Sequence, residues 1–337
     1  MALCLVTGGA GFIGSHLAEA LLRQGDAVRV LDNFSTGKEE NVECLTAPGL
    51  PPDRFELMRG DIRDFDTCRK ACAGVDRVFH QAALGSVPRS VEDPITTSAV
   101  NIQGTLNMLV AARDARVKRF VYASSSSVYG DRPAAPGEEA ATPKVESQIP
   151  NPQSPYAVSK LTGEYYCRVF YTIYNLQTVS LRYFNVFGQR QDANSAYAAV
   201  IPRFITALLR ERPATIYGDG LQSRDFTYVE NVVRANISAA SATGAVLGEP
   251  FNIACGERIT LNELYARLAA LTGTSTAPLY APPRAGDVRH SRADITRAAQ
   301  VLGYQPRTTL VEGLRKTTEW FTQHLNRTGC NSTARKI

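Results

Sequence analysis

The stretch Val6-Thr7-Gly8-Gly9-Ala10-Gly11-Phe12-Ile13-Gly14 connects an apolar run at residues 2–6 to a helical pattern at residues 13–23. Glycines spaced as Gly8-x-x-Gly11-x-x-Gly14 let the backbone turn sharply out of a strand, approach a phosphate closely and pack the next helix against the sheet. The N-terminus of that helix presents free N–H groups and a partial positive charge. A glycine cluster also fits an ordinary turn, but its place between strand and helix predicts a site for the pyrophosphate of a dinucleotide.

Asp32 provides an independent test of this prediction. It ends the next apolar run, residues 27–31, about 20 residues beyond the glycines, where a carboxylate accepts hydrogen bonds from ribose hydroxyls and repels a 2′-phosphate. NAD is therefore predicted in preference to NADP. Asp61 and Ile62, just past the third strand pattern, are predicted to hold the adenine edge, with a helix cap as the alternative for Asp61.

Short apolar runs alternate with helical patterns through the first half of the chain. Strand patterns lie at residues 2–6, 27–31, 54–58, 77–80, 120–123 and 178–182, and helical patterns at 13–23, 65–73, 105–115 and 157–174. This alternation is typical of a parallel sheet with helices on both faces. The predicted fold class is α/β, with a doubly wound parallel (Rossmann) sheet.

The regular alternation ends after residue 182. Gly, Asn and Gln collect around residues 185–193, and helical patterns at 200–210, 229–242, 261–271 and 310–321 predict a smaller, mostly helical C-terminal domain that binds the substrate. The predicted division is a dinucleotide-binding domain at 1–183, to which segments near 226–254 return, a substrate-binding domain at 184–225 and 255–325, and a polar tail at 326–337. Residues 131–155 are predicted to form a surface loop.

Composition argues against several kinds of partner. The net charge of +5 is spread along 337 residues and not gathered in Lys/Arg runs, so neither nucleic acid nor a membrane surface is predicted as a partner. The seven cysteines include no CxxC pair and no zinc-like spacing, so neither a disulfide framework nor a metal site is predicted. No targeting or membrane-spanning pattern is found, and the cytoplasm is the expected compartment.

Two motifs carry candidate chemistry. In Tyr156-Ala-Val-Ser-Lys160 a phenol and an ammonium lie four residues apart, hence on one face of a helix. The ammonium and the charge of an oxidised nicotinamide lower a tyrosine pKa, so Tyr156 can act as a base near neutral pH; a tyrosine packed over a lysine stem on a surface helix is the alternative. The serine run at 124–127 ends the fifth strand pattern, where its hydroxyls either orient a substrate alcohol or cap a turn.

The order of these motifs resembles the extended short-chain dehydrogenase/reductase family. The glycine motif, Asp32, the serine run, Tyr156-x-x-x-Lys160 and Arg182-Tyr-Phe-Asn185 span nearly the whole chain. Within that family the chain is most similar to nucleotide-sugar 4-epimerases, and segments 81–89 and 184–191 resemble the UDP-N-acetylglucosamine 4-epimerase branch. The resemblance implies tightly bound NAD, a UDP-sugar substrate and a homodimer built on two helices from each subunit.

The resemblance also implies roles for individual residues. Tyr156 removes the proton of the sugar 4-hydroxyl while hydride passes from C4 to NAD, Lys160 holds the nicotinamide ribose, and Ser125 hydrogen-bonds the reacting oxygen. If the resulting 4-keto sugar turns over while its nucleotide stays anchored, hydride returns to the opposite face and C4 is inverted. The predicted cofactor-binding residues are Gly8, Gly11, Phe12, Ile13, Gly14, Asp32, Asn33, Asp61, Ile62, Gln81, Ala82, Ala83, Tyr156, Lys160 and Tyr183.

A second set of residues is predicted to bind the substrate. It comprises Ser86, Ser125, Ser126, Tyr156, Asn185, Gln191, Val200, Tyr217, Arg224, Arg284 and Ser291. Arginine forks suit diphosphate oxygens, although Arg224 beside Asp225 also fits a surface ion pair. By the resemblance, Ser291 stands where residue size limits the sugar pocket, so a serine leaves room for a 2-acetamido group that Ser126 can hydrogen-bond. The alternative for Ser291 is a serine that precedes a helix cap at Asp294.

The predicted function is reversible C4 epimerisation of UDP-N-acetylglucosamine to UDP-N-acetylgalactosamine. UDP-glucose/UDP-galactose and UDP-glucuronate 4-epimerisation remain open as alternatives. The family's dehydratases carry Asp-Glu, and its decarboxylases Glu, at the strand end where this chain has Ser126 and Ser127, which argues against both activities. A non-catalytic NAD-binding interaction protein is the alternative from another class, but such a protein need not keep Tyr156, Lys160 and a serine together.

Overall fold

The computed structural model describes residues 1–131, 142–193, 195, 198–244, 246–283 and 289–333, with side chains as far as residue 326. Its strands, in chain order, are β1 (Leu3–Thr7), β2 (Ala27–Asp32), β3 (Phe55–Arg59), β4 (Arg77–His80), β5 (Arg119–Ser125), β6 (Thr178–Tyr183), β7 (Val186–Phe187), β8 (Thr215–Tyr217), β9 (Ser223–Arg224), β10 (Thr227–Tyr228), β11 (Pro250–Ile253), β12 (Ile259–Thr260) and β13 (Leu279–Ala281).

The α-helices are α1 (Phe12–Arg23), α2 (Glu39–Glu43), α3 (Phe65–Cys72), α4 (Val87–Glu92), α5 (Pro94–Ser98), α6 (Thr105–Asp114), α7 (Pro155–Tyr174), α8 (Val200–Leu209), α9 (Val229–Ser241), α10 (Leu261–Thr272), α11 (Thr296–Leu302) and α12 (Leu310–Thr333). Short 3₁₀ helices occupy Cys44–Thr46, Pro52–Arg54 and Ser126–Tyr129, and a π-helical turn spans Ala99–Gly104. Every helix of about ten residues or more was predicted from the sequence, to within a few residues at most ends.

Seven strands form one parallel sheet in the order β11-β6-β5-β4-β1-β2-β3. The strand order reverses at β1, which pairs with β2 on one side and β4 on the other. In doubly wound sheets, ligands bind in the crevice at the carboxyl ends of the strands beside such a reversal. The predicted doubly wound parallel sheet is confirmed.

The sheet separates two apolar cores. Alternate residues of β1 point to opposite faces, so Cys4 and Val6 join the core that contains α1 and α9, while Leu5 joins the core that contains α3 and α6. All three side chains are fully buried. Strands covered on both faces are therefore continuous apolar runs, which is why β1 could be recognised without an alternating pattern.

The later part of the chain divides between this sheet and a separate set of elements. Strand β11 pairs with β6 at the edge of the sheet, and α9 packs against α1 and β5. Helices α8 and α12 both pack on α10 and on each other, beside the two-stranded pair of β8 and β13. None of the described helices is long and apolar enough to cross a membrane, and no cluster of metal-ligating side chains occurs among the described residues.

The predicted surface loop at residues 131–155 is anchored to the interior in its described part. Lys144 is buried, and its Nζ donates to the carbonyl oxygen of Gly130 at 2.7 Å. The carbonyl oxygen of Lys144 accepts from Asn252 Nδ2 at 2.8 Å, and Glu146 Oε1 accepts from the Asn252 backbone N–H at 2.8 Å. The described part thus lies mostly at the surface, as predicted, and is anchored to the interior through Lys144 and Glu146; residues 132–141 lie outside the described residues.

Candidate active site

A cleft lies at the carboxyl ends of the central strands, beside the reversal of strand order. All of the residues predicted to bind the cofactor line it. It is also lined by residues that were not predicted to bind the cofactor: Leu31, Ser35, Thr36, Gly60, Leu84, Gly85, Val100, Ala123 and Ser124. Ser35 and Thr36 had a usable signal, because a Ser-Thr-Gly cluster directly after Asp32 predicts a loop beside it. No sequence signal marked Val100, because a π-helical turn places it at the cleft.

The glycine turn forms a cradle that side chains would fill. A Cβ added to Gly14 would meet the Gly8 carbonyl oxygen at 2.1 Å, and one added to Gly8, whose φ is +69°, would meet the Ala82 nitrogen at 2.8 Å. Gly11 stands at the N-cap of α1 and makes no side-chain cap, which leaves first-turn N–H groups free for an anion. These residues fit the pyrophosphate of a dinucleotide.

Asp32 links the cradle to the loop after β2. Its Oδ2 accepts from the Ala10 N–H at 2.9 Å and its Oδ1 from the Phe34 N–H at 2.8 Å. Burial raises the pKa of Asp32, and these two N–H groups oppose that rise. The carboxylate is thus held at the wall of the cleft, where it fits ribose hydroxyls and opposes a 2′-phosphate.

Asp61 does not cap a helix. Asp64 is the N-cap of α3, and its carboxylate accepts from the Asp66 N–H at 3.1 Å. Asp61 instead pairs with Arg63 at 2.7 Å and accepts from Asn33 Nδ2 at 2.8 Å at the wall of the cleft. The hydrogen bond from Arg63 is the largest cause that lowers the pKa of Asp61, to about 2. The capping alternative is wrong, and Asp61 stays a candidate for the adenine end.

Helix α7 carries the candidate base and ammonium. Ser154 is its N-cap, with Oγ accepting from the Ala157 N–H at 3.1 Å, so Tyr156 and Lys160 lie on one face. The Lys160 Nζ is 5.9 Å from the centre of the Tyr156 ring and donates to the carbonyl oxygen of Ala123 at 2.8 Å. Because Lys160 is buried, the surface-helix alternative is wrong.

Ser125 completes this group from the end of β5. Its side chain lies near the Tyr156 phenol, whose pKa it lowers against burial, and its Oγ accepts from the Ser127 N–H at 3.2 Å. Ser125 therefore caps the following turn and also lies beside the candidate base Tyr156. Turn capping and a place at the active site, the two interpretations of the serine run, thus apply to the same residue.

Burial dominates the ionisation of the α7 pair. It raises the pKa of Tyr156, which the hydrogen bond with Ser125 opposes, and it lowers the pKa of Lys160 to about 8, which Cys167 and Glu164 oppose. The lowered tyrosine pKa expected from the neighbouring ammonium is therefore not found in the protein alone. A base near neutral pH requires the further positive charge that an oxidised nicotinamide brings to the cleft.

The predicted substrate-binding residues are more widely spread. Ser126 is half-buried in the turn after Ser125, while Ser86 is the N-cap of α4 and its Oγ accepts from the Arg89 N–H at 3.2 Å. Val200 is the first residue of α8, and Tyr217 is the last of β8. Gln191 Nε2 donates to the Val186 carbonyl oxygen at 3.1 Å. Arg284 lies outside the described residues.

Asp225, which the sequence did not single out as a site residue, joins three other predicted substrate-binding positions. It is fully buried, and its carbonyl oxygen accepts from Asn185 Nδ2 at 3.1 Å. Its carboxylate accepts the backbone N–H groups of Cys255 at 2.9 Å, Gly256 at 3.0 Å and Ala293 at 3.2 Å. We call these three hydrogen bonds to the Asp225 carboxylate the clamp. It adjoins Arg224 and the segment that contains Ser291, whose N–H donates to the Ser223 carbonyl oxygen at 3.0 Å.

Ser291 is buried, at 9% exposure. Asp294 is not the N-cap of α11, which is Ile295, although its Oδ1 accepts from the N–H of Thr296, the first residue of α11, at 2.8 Å. The only sequence signal for Asp225 was an acid within the apolar run Asp225-Phe-Thr-Tyr-Val229, since its three N–H partners come from remote segments.

Comparison with known proteins connects this geometry to one family. The model of the "NAD dependent epimerase/dehydratase family" matches residues 4–254. A UDP-glucose 4-epimerase from Mycolicibacterium smegmatis is 41% identical over 320 residues, 94% of this chain and 97% of the relative. A solved UDP-N-acetylglucosamine 4-epimerase from Methanobrevibacter ruminantium, in complex with UDP-N-acetylmuramic acid, has a TM-score of 0.87 at 39% identity over 96% of this chain and 99% of that one.

A solved UDP-glucuronic acid 4-epimerase from Bacillus cereus, in complex with UDP-glucuronic acid and NAD, has a TM-score of 0.85 at 33% identity over 96% of this chain and 99% of that one. These three proteins share C4 epimerisation of a UDP-sugar and differ in the sugar. The resemblance inferred from the motifs is confirmed. The chain belongs to the NAD dependent epimerase/dehydratase family.

Proposed function

We propose that the protein catalyses the reversible C4 epimerisation of UDP-N-acetylglucosamine to UDP-N-acetylgalactosamine, with NAD bound throughout turnover. The observation that carries the proposal is the meeting of Tyr156, Lys160 and Ser125 beside a cleft with a dinucleotide cradle. The family and its UDP-sugar 4-epimerases support the reaction class. The choice of sugar is the finer part of the proposal.

The residues at the end of β5 and on α7 supply the proton chemistry. When bound, NAD supplies the acceptor, and later the donor, of a C4 hydride. Tyr156, as phenolate, takes the proton of the 4-hydroxyl, and Ser125 hydrogen-bonds the same oxygen. Lys160 stabilises the phenolate by its charge and holds the nicotinamide ribose. After the 4-keto sugar has rotated in the site, Tyr156 returns the proton to the 4-oxygen. Because the hydride taken from C4 is also returned to C4, the reaction has no net redox change.

The sugar nucleotide is assigned to residues 184–225 and 255–325, and the cofactor to residues 1–183 with the returning segments near 226–254. Residues 326–337 are assigned to a polar tail, although α12 continues as far as Thr333. Anchorage of the uridine diphosphate by Asn185, Gln191, Val200, Tyr217, Arg224 and Arg284 lets the sugar rotate while the nucleotide stays fixed. Arginine forks suit the diphosphate oxygens. Ser86 and Ser126 are assigned to the sugar.

One observation favours the N-acetylated sugars. By the family resemblance, residue 291 limits the size of the sugar pocket, so a serine there leaves room for the acetamido group, to which Ser126 offers a hydroxyl. Because similar proteins include a UDP-glucose 4-epimerase and a UDP-glucuronic acid 4-epimerase, UDP-glucose and UDP-glucuronate are the alternative substrates. Dehydration and decarboxylation are disfavoured, because Ser126 and Ser127 provide no acid beside the reacting carbon.

We also propose a homodimer that forms on α7 and its neighbour α6. Val158, Tyr165, Val169 and Ile173 of α7 are exposed and lie along one face of the helix. A contiguous apolar stripe of this kind is typical of an interface between copies of a chain. No nucleic-acid or membrane partner is proposed, and the cytoplasm stays a prediction from cysteine usage.

Proton NMR of four separate substrates tests the proposal. UDP-N-acetylglucosamine, UDP-N-acetylgalactosamine, UDP-glucose and UDP-glucuronate are each incubated with the purified protein, and inversion at C4 is followed. We expect inversion of both N-acetylated sugars at higher kcat/KM than UDP-glucose. Inversion of UDP-glucose or UDP-glucuronate alone would contradict the choice of sugar, and no inversion of any substrate would contradict the reaction.

A further inference from the structure

Glu164 is a buried carboxylate to which the reaction described above gives no role. It lies four residues beyond Lys160 on α7 and is 5% exposed. A carboxylate so far from water is stable only when charged or hydrogen-bonding partners occupy its oxygens. Its partners therefore show what it does.

Two residues occupy both carboxylate oxygens. Arg182 binds bidentately, with Nε donating to Glu164 Oε1 at 2.9 Å and Nη2 donating to Oε2 at 2.7 Å. Ser124 Oγ donates to Oε1 at 2.5 Å. Arg182 is itself 3% exposed, so this pair is shielded from solvent screening. The carboxylate is held in one orientation between β5, β6 and α7.

Glu164 makes the third contact between α7 and the end of β5. Ser124 lies between Ala123, which accepts the hydrogen bond from Lys160, and Ser125, which meets Tyr156. Tyr156, Lys160 and Glu164 are spaced four residues apart on one helix face, and each contacts one of three consecutive residues at the end of β5. Glu164 therefore fastens the middle of the strand segment that orients the base and the ammonium.

Glu164 also lies one helical turn from Lys160 on the same face of α7. Four other titratable groups surround Lys160: Tyr156 and Cys167 on α7, Tyr122 on β5 and His80 on β4. The Tyr122 ring lies 5.2 Å from Lys160 Nζ. Arg182 on β6 binds the Glu164 carboxylate. Burial raises the pKa of the Cys167 thiol and of the Tyr122 phenol and lowers the pKa of His80 to about 3, so these groups are neutral near pH 7. Cys167 and Glu164 both raise the pKa of Lys160 against burial, and of the two only Glu164 forms an ion pair, with Arg182.

We propose that Glu164 is a positioning residue of the active site, which fastens the end of β5 to α7 and places a carboxylate one helical turn from Lys160. The inference rests on the proposed function, because Glu164 acts through Lys160 and Ser125. Its two effects are separable: the hydrogen bond to Ser124 sets geometry, and the negative charge sets the protonation of Lys160.

Glu164→Gln tests the charge with little change of shape. We expect kcat to fall by about tenfold, and the alkaline limit of the kcat profile to move to lower pH by about one unit, because Lys160 loses its stabilising anion. Glu164→Asp retains the charge and is expected to keep the wild-type alkaline limit. Ser124→Ala removes the hydrogen bond but not the charge, so it is expected to lower kcat without moving that limit. Glu319→Gln, at an exposed carboxylate of α12, is the matched control.

A second readout does not depend on turnover. Protein labelled with ¹³C at the lysine Cε is titrated by NMR without cofactor, and the Lys160 signal is identified by its loss in Lys160→Met. We expect its midpoint near pH 8 in the parent protein, and about one unit lower in Glu164→Gln. If the Glu164→Gln substitution leaves Arg182 unpaired and prevents folding, the double variant Glu164→Gln with Arg182→Met is titrated instead. Its Lys160 midpoint should still lie below that of the parent, because Glu164 and not Arg182 acts on the Lys160 pKa.

An unchanged Lys160 midpoint, or an activity loss that is equal at all pH values in Glu164→Gln, would overturn the proposal. This outcome is distinguishable from failure of the proposed function. A parent protein that inverts none of the UDP-sugars but shows the shifted midpoint in the variant contradicts the reaction and leaves the role of Glu164 toward Lys160 intact.

Discussion

The cofactor cleft and the substrate side are built by different interactions. The cleft is assembled from the ends of adjacent strands in one hydrogen-bonded sheet, with the glycine turn and Asp32 following β1 and β2. On the substrate side, the two-residue pairs β7–β10 and β9–β12 and the Asp225 carboxylate join segments that are distant in the chain. The cleft therefore depends on sheet register, whereas the substrate side depends on a few side-chain contacts.

Tyr156→Phe is expected to have the largest effect on turnover. Removal of the phenol takes away the proton acceptor, so kcat should fall by about 10²–10⁴-fold, while the cleft still holds NAD. Steady-state kinetics and mass analysis of the bound cofactor check both parts. Tyr165→Phe, at an exposed tyrosine of the same helix, should retain normal kcat. Near-normal activity of Tyr156→Phe would remove Tyr156 from the mechanism.

Gly14→Ala tests the cradle on the cleft side of the comparison. Its Cβ would lie 2.1 Å from the Gly8 carbonyl oxygen, so the turn must shift, and we expect about hundredfold weaker binding of NAD. Gly11→Ala, whose Cβ would lie 3.1 Å from the same oxygen, should lose less. Cofactor titration by fluorescence measures both. Equal affinity in Gly14→Ala and the parent would contradict the assignment of the cradle.

Asp225→Asn tests the clamp on the substrate side. The amide accepts the three N–H groups less well, so KM for the UDP-sugar should rise by about tenfold with little loss of bound NAD. Burial raises the pKa of Asp225 to about 6, so its carboxylate is protonated as pH falls through that value and the parent KM should rise there. In Asp225→Asn, which has no carboxylate at this position, KM should not rise as the pH falls through 6. Asp219→Asn, at an exposed carboxylate, is the control, and an unchanged KM in Asp225→Asn would show that the clamp does not support the substrate.

Ser291→Tyr is expected to have the smallest effect, confined to selectivity. The larger ring fills volume that we assign to the acetamido group, so kcat/KM for the N-acetylated sugars should fall several-fold more than kcat/KM for UDP-glucose. Ser291→Ala, which preserves the small size, should leave the ratio unchanged. Equal losses on both kinds of sugar would refute the role of residue 291 in selectivity.

The same contrast explains what the sequence predicts. Strands such as β1 and β5 are recognisable because strands buried on both faces are mostly continuous apolar runs, and the glycine spacing is set by backbone contacts within one turn. All residues predicted for the cofactor accordingly line one cleft. Local rules suffice where neighbours in space are set by strand ends.

Other parts of the site have no local signal. Two-residue strands such as β9 (Ser223–Arg224) are too short to show a period, and the π-helical turn at Ala99–Gly104 follows from packing. Asp225 and Glu164 are acids in mostly apolar segments whose partners come from remote elements. Their roles became visible only when those elements were placed together.

Retention of the C4 hydrogen is the most direct test of a resident cofactor. Protein that contains NAD, with none added, is incubated with UDP-N-acetylglucosamine in D₂O, and the C4 proton of the product is observed by NMR. Because hydride held on a reduced nicotinamide does not exchange with solvent, we predict UDP-N-acetylgalactosamine that retains hydrogen at C4. Deuterium at C4, or inversion only after NAD is added, would contradict a closed oxidation and reduction within the cleft.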